Sequence, residues 1–236
     1  NWRDTRHVFT GGAEVYVHEI AKRFVAQGDY VMLFCGNDGQ SPRNEVVDGI
    51  QVVRRGGFYF VYLWAFVYYF TQFRGNYDVI IDCHNGIPFF TPLYVKEPVI
   101  SVVHHIHQEV FRRSLPFGLA QLACSLERDV MPIVYKNIHF VTVSASSRDE
   151  MIEFGLIGRG IDIVHNGVDL TMFKPAAKSP RPMVLYLGRL KAYKSIDVLI
   201  VAFKLLLERV PDAFLVIAGS GEESKHLKRL TQQLDI

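Results

Sequence analysis

The sequence has no Gly-x-Ser-x-Gly elbow, no Walker loop and no complete Gly-x-Gly-x-x-Gly. Serine-hydrolase, P-loop and dinucleotide-fingerprint chemistry therefore have no motif to rest on. A basic block is also lacking: 26 Lys and Arg stand against 24 Asp and Glu, a formal net charge of +2. Such a balance is a poor electrostatic footprint for nucleic acid. Cysteine is scarce, since Cys35, Cys83 and Cys124 are odd in number, far apart and form no Cys-x-x-Cys. This argues against a disulfide framework or a zinc ribbon and for a reducing cytoplasm. No apolar h-region follows the opening Asn-Trp-Arg-Asp, so no signal peptide is read there. An initiator Met is absent and residues 231–236 break off within a helical pattern, so the sequence reads as a piece of a longer one. What is present, 49% hydrophobic and 21% charged residues over 236 positions, matches a folded globular chain of two modest domains or one large one.

The dominant rhythm is apolar strand, turn, amphipathic helix. Short runs of Val, Ile, Leu and Phe predict strands at 30–35, 50–54, 78–82, 98–103, 139–144, 161–165, 183–188 and 213–219. Near-continuous apolar runs suit parallel strands covered on both faces. Helical periodicity falls between them, at 13–27, 118–134, 146–154, 196–209 and 222–234. The alternation predicts right-handed βαβ units and a doubly wound α/β fold. The first helix starts at Gly11-Gly12 with no strand before it, and a βαβ start needs an apolar strand upstream of Asn1.

Around 166–182 the texture changes to NGVDLTMFKPAAKSPRP, with three prolines. It predicts a first domain over 1–169 with its first strand missing, a linker over 170–181 and a partial second domain over 182–236. The last piece is too small to bury a full core by itself. Residues 58–73, FYFVYLWAFVYYFTQF, are uncharged and very aromatic but fall short of the roughly 20 residues that span a bilayer. Two readings stay open for them: a core helix, or a helix that touches membrane or lipid.

Three groups of residues are candidates for chemistry. Gly11 and Gly12 before the first helix let a ligand approach the backbone, and the helix's free N–H groups suit a phosphate. The plain alternative is a turn. Arg189 and Lys194 follow the strand at 183–188, and ligands of open α/β sheets gather beyond the carboxyl ends of strands. Arg presents a planar fork to a diphosphate and Lys a mobile point charge; the alternative is two solvated cations. His104, His105 and His107 follow the strand at 98–103. Metal ligation, a contact to a sugar or acceptor, and a structural role are all open, although no acidic partner sits at a ligand spacing. Gly219-Ser220-Gly221 is a fragment of a phosphate loop, or simply a strand-to-helix turn.

Taken in order, GGAEVYVHEIAKRFVAQGDYVMLFCG, YDVIIDCHNGIPFF, PVISVVHH, FVTVSASSRDEM, IVHNGVDLTMFKP, VLYLGRLKAYKSIDVLIVAF and FLVIAGSGEE resemble the nucleotide-sugar glycosyltransferases of family 4, which have the GT-B architecture of two Rossmann-like domains. The resemblance covers nearly the whole chain. It implies a retaining transfer from a nucleoside-diphosphate sugar to a glycan, lipid or other acceptor, with no metal or other cofactor. Gly11 and Gly12 then belong to the loop near the donor diphosphate, Arg189 and Lys194 to the pair that neutralises it, and His104 lies near the transferred sugar as the catalytic position. Ser195 departs from the family, which usually has Gly after the Lys. The family's glutamate pair is expected beyond Ile236, so the chain by itself is expected to be an inefficient enzyme.

The expected setting is cell-envelope or polysaccharide assembly in the cytoplasm, with peripheral contact at the inner face of the membrane. A sugar-phosphate synthase or phosphorylase-like enzyme is an alternative within the fold. A non-catalytic GT-B-like module that binds a glycan or partner is an alternative from another class, and a histidine-based metallohydrolase is a third.

Overall fold

Apolar strands in a βα alternation bury both faces only where helices cover the sheet they form. The computed structural model describes residues 1–236, which divide into two compact units, Asn1–Val168 and Asp169–Ile236.

In the first unit α1 (Gly12–Gln27) leads into β1 (Met32–Cys35), β2 (Asn44–Val47) and β3 (Ile50–Arg54). β1 pairs in parallel with β3, and β2 pairs antiparallel with β3. β2 was not among the expected strands. Its signal is Asp48-Gly49, both at positive φ (51° and 81°), the backbone a tight hairpin demands. Arg54 is fully buried in β3, and its guanidinium is held by both Asp4 oxygens, the Pro42 carbonyl and Glu45. With its donors so occupied, the charge is tolerated in the core.

α2 (Val61–Tyr68) continues as a wide π turn, Tyr69–Phe73. The core-helix reading of 58–73 is corrected: Val61, Tyr68 and Tyr69 are buried, whereas Phe60, Leu63 and Trp64 stand exposed. Then come β4 (Ile80–His84), β5 (Val99–Val103), α3 (Gln108–Ser114), α4 (Phe117–Ser125), α5 (Met131–Val134), β6 (His139–Thr142), α6 (Ala145–Glu153) and β7 (Gly160–Ile163). The helix expected over 118–134 is broken by a π turn at Leu126–Val130 just before α5. Pro132 cannot donate to the carbonyl one turn back, and the widened turn accommodates the lost bond.

β4, β5, β6 and β7 form one parallel sheet in chain order. Beneath it pack Val103, Met131, Tyr135, Phe140, Met151 and Leu156. The Asn1 amino group donates to Phe34 O at 3.1 Å and the Asn85 amide to Asn1 Oδ1 at 2.9 Å. The first residues therefore lie between the carboxyl ends of β1 and β4. All three cysteines are buried and free.

In the second unit β8 (Met183–Leu187) and β9 (Phe214–Ala218) pair in parallel and are joined by α7 (Ile196–Leu207), with α8 (Ser224–Leu234) after them. Leu190, Ile196, Ile200 and Leu227 make its core. No helix of the chain is long and apolar enough to cross a membrane.

Candidate functional site

Gly11 cannot cap α1 with a side chain, so Glu14 folds back instead. Its Oε2 accepts from Gly11 N at 2.7 Å, and Oε1 accepts from Arg3 Nε at 3.0 Å and Asn85 Nδ2 at 3.1 Å. One buried carboxylate thus ties the helix start, the N-terminal segment and the end of β4 together. A Cβ on Gly12 would meet nothing within 4 Å, so there is free space beside the first turn of the helix, whose N–H groups have no partner within the helix. Sequence reasoning missed Glu14, although its position three residues after the cap is the second half of a capping-box spacing.

His104 follows β5 directly. Its carbonyl accepts from Ser147 Oγ at 2.9 Å, and its ring meets the edge of Tyr16, an α1 residue, at 5.2 Å between centroids. Tyr16 in turn donates to Val164 O at 3.2 Å, beyond β7. Gly11, Gly12 and His104 are in this way gathered along the carboxyl edge of the parallel sheet, where ligands of such sheets bind. Burial lowers the His104 pKa, with Glu14 pulling the other way. Its Nε2 is buried without a hydrogen-bond partner in the chain.

The other two histidines turn elsewhere. His105 and His107 rings lie 4.2 Å apart, and the His107 N–H donates to Glu127 Oε1 at 2.8 Å. Burial, then His107 and His104, brings the His105 pKa down to about 4. The three imidazoles do not converge, and no group of three or more His, Cys, Asp or Glu is placed to share a metal ion.

Below this edge lies a polar knot that sequence reasoning did not single out. Asp82 Oδ2 accepts from Thr91 Oγ1 and from Tyr135 OH, both at 2.6 Å, and His84 Nε2 lies 3.0 Å from Ser101 Oγ. The only hint in the sequence is two polar side chains in an otherwise apolar strand, β4. Burial and then Asp82 push the Tyr135 phenol well up.

In the second unit Arg189 and Lys194 meet the same aromatic ring. Arg189 Nη2 donates to the Tyr193 hydroxyl at 3.3 Å, and Lys194 Nζ lies 5.0 Å from the ring centroid. The loop that carries Arg189 is stitched in place. Tyr186 OH donates to Arg189 O at 2.9 Å, Leu190 N to Ser220 O at 2.8 Å, and Lys191 pairs with Glu222 at 2.8 Å. Gly219 and Gly221 make this approach feasible, because a Cβ on them would come within 1.8 Å of Gly188 O and 2.2 Å of Leu190 O. Ser195 sits in the left-handed region at φ 51°, the conformation for which glycine is better suited.

Comparison with known proteins matches residues 10–172 to the model of "Glycosyltransferase Family 4" and residues 168–236 to "Glycosyl transferases group 1". Among curated relatives, the glycogen synthase of Mycobacterium tuberculosis (strain CDC 1551 / Oshkosh) is 25% identical over 259 aligned positions, covering 93% of this chain and 60% of that protein. An uncharacterized glycosyltransferase of Haemophilus influenzae is 42% identical over 60 residues, 25% of this chain and 17% of that one. This chain thus spans 60% or less of the length of these two relatives. Among solved structures, the catalytic domain of Starch Synthase IV from Arabidopsis thaliana aligns with TM-score 0.62 and 15% identity over 99% of this chain and 71% of that one. S. aureus TarM aligns with TM-score 0.51 and 15% identity over 72% and 34%. These likenesses are of fold, and the fold is that of GT-B glycosyltransferases. With a family model covering residues 10–172 and the sheet and loop geometry in agreement, the chain belongs to glycosyltransferase family 4.

Proposed function

We propose that this chain supplies the acceptor-side domain and the start of the donor-side domain of a retaining glycosyltransferase. The enzyme moves a sugar from a nucleoside-diphosphate donor to a glycan, lipid or other acceptor, without a metal, in cell-envelope or polysaccharide assembly. The observation that carries this reading is the Arg189–Tyr193–Lys194 cluster on a loop stitched to its neighbour at the carboxyl end of β8. As the bond from the sugar to the diphosphate breaks, negative charge grows on the leaving phosphate. Two cations held in advance stabilise that charge without reorganising during the step. With the Gly11 N–H taken by Glu14, the first-turn N–H groups of α1 from Gly12 onward add donors for the same kind of anion. His104, beyond β5, is proposed to contact the transferred sugar. Two structural neighbours support a nucleotide donor: the TarM structure is a complex with UDP, and the starch synthase structure is bound to ADP and acarbose.

The test is equilibrium binding of UDP-, GDP- and ADP-sugars to the 236-residue chain in EDTA, beside an Arg189→Ala, Lys194→Ala variant. Binding that survives EDTA and collapses in the variant is the expected result. In a chain long enough to turn over, each lost contact should cost about 10²–10³ in rate. Turnover by the 236-residue chain itself is expected to be low. Absence of binding to every donor, together with specific binding of a glycan or protein partner by the folded chain, transfers the assignment to a non-catalytic binding module.

A further inference from the structure

α2 has no polar face. Every residue from Val61 to Tyr68 is apolar or aromatic, yet only one side of the helix is covered. Val61 and Tyr68 are buried, and Tyr62 packs its ring 4.9 Å from Phe89. On the opposite side Phe60, Leu63, Trp64 and Val67 recur at i, i+3, i+4 and i+7 and are 65%, 59%, 40% and 37% exposed. A helix that is apolar all round belongs to a protein core or a lipid phase, and a bare stripe of this kind marks a contact surface.

The charges around the stripe identify its occupant. From Arg55 to Arg74 the sequence contains no Asp, Glu or Lys. Arg74 lies over the Phe70 ring at 5.8 Å. Lys96 is exposed beside the same end of the helix, where its backbone N–H donates to Tyr69 OH at 2.9 Å. The carboxylate nearby, Glu97, accepts from Tyr69 OH at 2.8 Å and Gly75 N at 2.6 Å, so its oxygens are already engaged. We infer that the Phe60–Leu63–Trp64–Val67 face seats α2 in the headgroup region of an anionic phospholipid bilayer, with Arg74 and Lys96 at the phosphate level. Trp and Tyr favour that depth, and cations at the rim are drawn to the negative surface. The helix is too short to span, so it lies in the interface plane. Arg55 adds a cation at this same end of the helix, its guanidinium lying over the Tyr68 ring at 5.1 Å. The inference stands apart from the transferase reading, because none of these residues belongs to the Gly12, His104 or Arg189 clusters.

The chain has only two tryptophans, so Trp2→Phe leaves Trp64 as the sole indole reporter. Vesicles of phosphatidylcholine with phosphatidylglycerol should shift Trp64 emission to the blue, and lipids brominated near the headgroup should quench it. Phosphatidylcholine alone should do so weakly, and added salt should reduce the effect. Phe60→Ser with Leu63→Ser, both exposed and therefore compatible with folding as judged by far-UV circular dichroism, should lower vesicle partitioning about tenfold or more. An unshifted emission in a folded chain overturns the inference, as does a shift that survives the double substitution. Self-association abolished by the double substitution, with no response to vesicles, also overturns it and assigns the face to a second copy.

Discussion

Asp82 and His84 are two residues apart in β4 and both are almost wholly buried. Asp82 is held by the hydroxyls of Thr91 and Tyr135, and His84 by that of Ser101. Burial lowers the His84 pKa, and the nearby Asp82 only partly offsets this. An unfolded histidine takes up its proton near pH ~6.5. Below that value the unfolded chain binds a proton that the folded chain resists, so stability is lost as pH falls from there toward the folded pKa. His104 and His105, also lowered by burial, act in the same direction. The urea midpoint should therefore drop between about pH 7.5 and about pH 5.5, and His84→Gln should flatten part of that slope. Equal midpoints at the two pH values in the unsubstituted chain would refute it. At this scale His104 and the two glycines were legible because they sit at element ends. Glu14 was not, since its role depends on Asn85 and Arg3, which reach it only in the fold.

Elements decide where the cations stand. The loop after β8 and the loop after β9 cross so closely that Gly188 O occupies the space a Cβ on Gly219 would need. Gly219→Ala must push the two loops apart and should cost about 2 kcal/mol, within the range for overpacking. Because the Arg189 loop moves with it, nucleotide-sugar binding should weaken as well. Gly12→Ala is the control for stability, since its Cβ enters empty space. Unchanged thermal midpoint and binding in Gly219→Ala would show that the loops yield freely. The sequence marked Gly219-Ser220-Gly221 only as a turn or loop fragment, because the need for glycine arises from a neighbour some thirty residues away (roughly one βα unit). The interrupted helix before α5 has a visible cause in Pro132, whereas α3 lacked a pattern long enough to be read.

For the whole molecule, the junction between the two units is the longest continuously exposed stretch of the chain. Residues 164–178 are exposed throughout, and the segment that follows, up to β8, is rich in proline. Few backbone hydrogen bonds hold it, chiefly Met172 N and Phe173 N to Asp169 O. Exposed, weakly bonded backbone is where proteases act first. Lys174 and Arg181 each precede proline, which blocks trypsin, so the first tryptic cut is expected after Lys178. Limited proteolysis followed by mass spectrometry should therefore release a large fragment ending there. Early cuts within α1 or between β4 and β7 would contradict the division into two units.

The sequence by itself determined the alternation of apolar strands with amphipathic helices, and hence the parallel α/β class, because period and apolar content are local properties. It also placed Gly11, Gly12, His104, Arg189 and Lys194 at strand and helix ends, since turns and charges interrupt apolar runs visibly. Tertiary structure alone decided that α2 leaves an apolar face bare, that Asp82 and His84 share a buried knot, and that two glycines make room for a neighbouring loop. Those facts depend on which atoms approach through space, and distance along the chain carries no record of that.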